Sequence, residues 1–215
     1  MSTRNTYIVV TILIIASALA GLLLWNQLPE SMASHWGVDD LVNGYTPRLW
    51  GVLLMPLLSA GMLVLFLVIP AIDPLKANIQ KFRENFNAFL VMITIFLVYV
   101  HGLSLAWNLG YTGFKMSHAL LPAMGLLFVF VGLLIGKAKR NFFIGIRTPW
   151  TLSSEKVWDE THRVGGKLFS AAGALTLLGI FVPDYADWFL VLPLIGATAF
   201  SVVYSYVLYQ REIKV

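Results

Sequence analysis

Leu49 to Ile72 reads LWGVLLMPLLSAGMLVLFLVIPAI, a run without one charged side chain. About 20 apolar residues carry a helix across the roughly 30 Å of hydrocarbon in a bilayer. A helix that is apolar on every side belongs in lipid or deep inside a large core. Pro56, within the run, is no objection, because neighbours or ordered water meet the carbonyl that a proline frees. Five more stretches follow the same rule: Tyr7 to Trp25, Phe86 to Leu109, Ser117 to Gly136, Gly166 to Val182 and Trp188 to Tyr209. Of the 215 residues, 58% are hydrophobic and only 12% charged. That is more apolar surface than one soluble core hides. The expected fold is an all-α integral membrane protein, a bundle of six transmembrane helices. Ala18, Leu19 and Ala20 imitate a signal-peptide cleavage site, but the run continues through Leu24, so an uncleaved first helix is expected. Small residues four apart predict close helix contacts: Ser17 with Gly21, Gly132 with Gly136, and Gly166 with Ser170 and Ala174.

Of the 15 Lys and Arg, Arg48 and Lys115 alone fall on one side of such a bundle. The rest collect on the other, most densely between Lys137 and Lys167. Cationic connections stay inside the cell. The expectation is therefore a multi-pass plasma-membrane protein with both termini in the cytoplasm. Trp25, Trp50, Trp107 and Trp188 then lie at outer helix ends, where amphipathic rings meet the headgroups. Two parts are expected, residues 1–109 with a long outer loop at 26–48, and residues 110–215 with a cytoplasmic loop at 137–165.

Within the third span, Asn87, Thr94, His101, Ser104 and Asn108 share one helical stripe, which should face protein or water. His101 lies roughly 12 Å below the outer end by helical rise, and an ionisable residue at that depth is a functional candidate. His35, His101 and His118 all belong to the outer half, with Asp39 or Asp40 as oxygen donors, so a metal site there is a speculative option. No cofactor is required by any motif. The chain has no cysteine, which excludes disulfides and thiolate sites. There is no His-Glu-x-x-His sequence, no Walker phosphate loop and no pair of intramembrane acids, so an enzyme is not expected.

The inner connection, Lys137 to Gly166, reads KAKRNFFIGIRTPWTLSSEKVWDETHRVGG. Its basic cluster beside Phe142 and Phe143 suits anionic headgroups. After Pro149, Ser153 is placed to cap a short helix whose Val157, Trp158, Thr161 and Val164 share a face. Asp159 and Arg163 have the spacing of a helical ion pair. A short interfacial helix along the inner leaflet, between the fourth and fifth spans, is the expectation.

Arg140 to Lys167 resembles the signature of the SdpI family, whose founding member is an immunity protein against a sporulation-delaying peptide toxin. The likeness rests on Asn141, Gly145, Arg147, Thr148, Pro149, Trp150, Thr151, Glu155, Trp158, Thr161, His162, Arg163 and Gly165. Leu28 to Arg48, LPESMASHWGVDDLVNGYTPR, resembles the domain of unknown function DUF1648 that commonly opens these proteins. Asp40 stands where that pattern commonly has Gly, and Asn43 where it commonly has Asp. The resemblance implies a membrane immunity and signal-receptor protein that binds a secreted peptide toxin and holds a cytoplasmic helix-turn-helix repressor, with no direct contact to nucleic acid. Toxin-facing candidates are His35, Trp36, Asp39, Asp40 and Arg48, since the acids of that loop would attract a cationic amphipathic peptide. Partner-facing candidates are Asn141, Gly145, Arg147, Thr148, Pro149, Trp150, Trp158, Thr161, His162 and Arg163. A rival reading is a small exporter of the toxic peptide, though the spans carry no Asp or Glu for ion coupling.

Overall fold

The computed structural model describes residues 1–37 and 39–214. In chain order the elements are α1 (Thr3–Leu23), β1 (Ser31–Trp36), β2 (Val42–Pro47), α2 (Arg48–Ile72), α3 (Lys76–Gln80), α4 (Arg83–Asn108), α5 (Met116–Lys137), α6 (Pro149–Ser153), α7 (Glu155–Leu178) and α8 (Ala186–Glu212). Six of them, α1, α2, α4, α5, α7 and α8, are long and apolar enough to cross a membrane. Helices α1, α2 and α4 pack on one another, as do α5, α7 and α8, and α4 against α5 joins the two groups.

Four expectations are corrected. The outer loop at 26–48, expected within an all-α fold, contains an antiparallel hairpin, with Met32 opposite Thr46 and Ala33 opposite Tyr45. Along β2 burial alternates, with Val42, Gly44 and Thr46 turned inward and Asn43, Tyr45 and Pro47 outward, the period of a half-buried strand. The fold is therefore helical with one small sheet. The stretch expected to form a separate interfacial helix is the start of α7, which runs unbroken from Glu155 into the fifth span. Gly165 and Gly166 do not interrupt it, because their bare faces meet Ile146 and Ser201 on one side and Gly132 and Gly136 on the other. Its cap is Ser154, accepting from the Val157 N–H, and not Ser153. The ion pairing also differs: Arg163 pairs with Glu160, and Asp159 with Lys139.

The α5–α7 seam is the tightest in the molecule. A methyl group at Gly132 would overlap the Ser170 amide and the Gly166 carbonyl, and one at Gly173 would overlap the backbone of α5 near Val129 and Gly125. Bare backbone on both sides lets the helices meet in close van der Waals contact, and the Ser170 hydroxyl of α7 donates to the Val129 carbonyl of α5 across the seam (3.2 Å). On α1, a Cβ at Gly21 would collide with Val52 of α2, while Ser17 meets α4 through its hydroxyl.

The largest buried cluster lies at the basic end, not at mid-membrane. Phe66, Ile69, Ile79, Phe82, Phe86, Leu134 and Trp158 pack there beneath the 138–154 connection. A smaller cluster, Leu28, Met32, Val52 and Leu105, seats the hairpin on α2 and α4.

Candidate functional site

The hairpin is fixed to the bundle by two side chains. Asn108, at the end of α4, accepts from the Ala33 N–H (2.7 Å) and donates to the Ala33 carbonyl (3.0 Å) and to Ser104 O (2.9 Å). Its amide thus serves strand β1 as a neighbouring backbone would. Asp40 holds the turn in a left-handed conformation, φ 58°, which glycine adopts freely and Asp tolerates better than most residues. The glycine common at that point of the family pattern is explained by this backbone. Asp40 adds what glycine cannot. Its carboxylate accepts from the Ser117 N–H (2.9 Å) and Ser117 Oγ (2.6 Å), at the start of α5. Lys115, at the N-cap of α5, makes no side-chain cap bond. An acid from the hairpin thus meets an N–H at the positive end of the helix dipole.

Between hairpin and bundle lies a cavity of about 310 Å³. Its roof is Ser34, His35, Trp36 and Asp40, and its walls are Trp50 and Met55 of α2, Val100 and Ser104 of α4, and Met116 and Leu120 of α5. His35 Nδ1 is hydrogen-bonded to Asn43 Oδ1 across the hairpin. Trp36 meets the edge of Trp107, which meets that of Phe114. Three of the predicted toxin-facing residues, His35, Trp36 and Asp40, come together at the cavity. Asp39 and Arg48 do not line it: Asp39 accepts from the Leu41 N–H, while Arg48 donates to Pro29 O and covers the Trp25 ring. The wall residue Trp50 shows in the sequence only as a boundary ring; Ser104 of α4 belongs to the polar stripe, and the remaining wall residues of α4 and α5 carry no motif.

Along α4 the polar stripe faces protein. Asn87 donates to Thr3 Oγ1 (3.1 Å) of α1 and Thr94 to Leu90 O of its own helix. His101, 1% exposed, is bonded through Nδ1 to Ser17 Oγ of α1 at 2.7 Å. Ser104 lines the cavity. The speculative metal site is corrected. His101 is buried against α1, His35 is held by Asn43, and among the described residues no three His, Cys, Asp or Glu are grouped to hold an ion.

At the basic end the signature residues form an interlocked turn. Asn141, fully buried, donates to Lys139 O and Ile144 O and accepts from the N–H groups of Phe143 and Ile144. Gly145 takes φ 121°, a region side chains avoid, and a Cβ there would strike His162 Nε2. That nitrogen accepts from the Ile146 N–H at 2.9 Å while Nδ1 reaches Trp158 O at 2.8 Å. An amide can only donate and a carbonyl only accept, so His162 is neutral with its proton on Nδ1. Trp158 stacks on His162, ring centroids 3.9 Å apart, and donates to Ala138 O. Thr148 caps α6 in a reciprocal box with Thr151 and touches Ser205 of α8.

Of the predicted partner-facing residues, Asn141, Thr148, Trp158, Thr161 and His162 are buried, and Gly145 and Trp150 are half-buried. Only Arg147, Pro149 and Arg163 are exposed, beside Phe142 and Phe143. The sequence did not single out Asp73 and Asn78. Asp73, 2% exposed, accepts from the Phe142 N–H (2.9 Å), and Asn78 donates to Arg140 O (2.9 Å). An acid directly after an apolar span was the available signal.

Comparison with known proteins gives concordant matches. Residues 137–206 match the SdpI/YfhL protein family, and residues 12–60 match a domain of unknown function, DUF1648. The chain is 24% identical over 210 residues to the protein named Immunity protein SdpI of Bacillus subtilis (strain 168), across 95% of this chain and 96% of that protein. No solved structure matches. With a matching family region in each half and a likeness that spans nearly the whole length, this chain is a multi-pass membrane protein similar to the SdpI/YfhL family.

Proposed function

We propose that this protein confers immunity by binding a secreted peptide toxin at the hairpin cavity, with the hairpin outside the cell and the basic end in the cytoplasm. The observation that carries the reading is the cavity itself: about 310 Å³ under a rigidly tethered roof, lined by aromatic, aliphatic and a few polar groups, the mixture typical of ligand sites. The named relative, an immunity protein, supports it, as does the excess of cations at the opposite end. The repressor-holding limb of the proposal falls on the exposed residues of the signature, Arg147, Pro149 and Arg163, with Phe142 and Phe143 beside them. The buried signature residues shape that surface and do not touch the partner.

The test is a sensitive host expressing the chain and challenged with the sporulation-delaying peptide toxin, membrane potential being read by dye. Protection should fall for Trp50→Ala and His35→Ala at normal expression, and be kept by Asp39→Asn, which lies off the cavity. Unchanged protection in both cavity variants would exclude this site. Toxin accumulation that rises when the cell's energy supply is removed would point to export, since binding needs none. In the same cells, a fluorescent fusion of the repressor should leave the membrane for Arg147→Ala combined with Arg163→Ala.

A further inference from the structure

Three hollows on one flank of the bundle run into one another. The hairpin cavity shares Trp50 and Leu54 with an open groove of about 730 Å³ between α2 and α4. That groove shares Met62 and Leu65 with a hollow of about 360 Å³ that ends against Phe143, Ile144 and Gly145 of the signature turn. One wall is a single stripe of α2, from Trp50 through Leu54, Leu58, Gly61 and Leu65 to Ile69. The floor is a stripe of α4, from Ser104 through Val100, Leu97 and Ile93 to Phe89. Both keep the three- and four-residue spacing of one helix face. Trp50 to Ile69 is about 29 Å of helical rise, close to the full hydrocarbon thickness of roughly 30 Å.

From this continuity we infer that the flank is a trans-bilayer groove which seats one membrane-crossing helix of the peptide ligand, with its outer end beneath the hairpin and its inner end against the signature turn. The inference rests on the toxin-binding reading above and names the form in which the ligand is held. Depth selects the occupant. A lipid chain from one leaflet covers about half of the groove, whereas a helix of about 20 residues covers all of it. The middle section is lined by apolar residues throughout, so its occupant must satisfy its own backbone, as a helix does. Gly61 stands midway, where a Cβ would meet nothing within 4 Å, so the wall is open there down to the backbone. The outer end of the groove is lined by the carboxylate-bearing Asp40, an acid that suits a cationic flank on the peptide. A ligand so seated touches both ends of the protein at once, and its arrival is felt at Phe143 to Gly145 without relay through the helices.

The experiment places a photoreactive phenylalanine derivative, one position at a time, in the full-length protein in cells. Positions are Leu58 and Leu65 in the groove, Trp50 at the mouth, and Ile12 on the exposed side of α1. The probe is the same toxin, synthesised with biotin. Adducts at Trp50, Leu58 and Leu65 but not at Ile12 are expected. Gly61→Leu, which fills the groove at mid-depth, should weaken protection on the order of tenfold at normal expression while the Trp50 adduct persists. Adducts at Trp50 without any at Leu58 or Leu65 would overturn the groove and leave the hairpin cavity standing as the binding site. Phospholipid adducts, or covalent dimers of this chain, at Leu58 and Leu65 in place of peptide would overturn it by naming another occupant. No peptide adduct at any position would overturn both readings.

Discussion

Asp40 combines a backbone conformation that favours glycine with a side chain that ties the hairpin to α5, and two substitutions separate those roles. Asp40→Gly removes the bonds to Ser117 but suits φ 58°. Asp40→Ala removes the same bonds and adds left-handed strain of about 1 kcal/mol. The alanine variant should therefore unfold more easily than the glycine variant, by about that difference, as read from thermal melts in detergent. Equal melts would mean that the turn relaxes to another conformation. The sequence already showed this position departing from its family pattern. It did not show that the carboxylate reaches Ser117, because that bond joins residues 77 positions apart, a distance that no local spacing encodes. His162 teaches the same point. Its place in the signature was legible, but its burial against Trp158 and Gly145 came only with the fold, and it converts a candidate contact surface into a scaffold.

Among the helices, close approach is concentrated where side chains are missing. Gly166 of α7 lies against Gly132 and Gly136 of α5, and a methyl there would meet backbone atoms at 2.7 Å. Gly196 of α8 has nothing within 4 Å of the same virtual atom. Gly166→Ala should destabilise the protein by about 1–3 kcal/mol, whereas Gly196→Ala should be neutral or gain about 0.5–1 kcal/mol from helix propensity. Unfolding in mixed micelles measures both, and similar losses in the two would refute the seam. All the spans but the fifth were legible to within about four residues at each end, since uninterrupted apolar runs leave little choice. The hairpin was not. Its alternation is short, broken by irregular register between Ala33 and Trp36, and carried by small and polar residues. The length of α7 was also missed, because a pair of glycines reads as a stop in water but as a packing surface in lipid.

For the molecule in its membrane, the orientation makes a direct prediction. The chain has no cysteine, so single cysteines report their own surroundings. Tyr45→Cys, 65% exposed on the hairpin, should react with a membrane-impermeant maleimide in intact cells. Ser153→Cys, at the exposed end of α6, should react only after the membrane is opened. The reverse pattern would invert the protein and with it the assignment of toxin and repressor to their faces. The amide of Asn108 has a bearing on how many such proteins share a crowded membrane. By occupying the N–H and carbonyl of Ala33, it closes one border of the two-stranded ribbon. Neighbouring molecules are thereby denied that pair of backbone groups as a template for stitching ribbons together on that side.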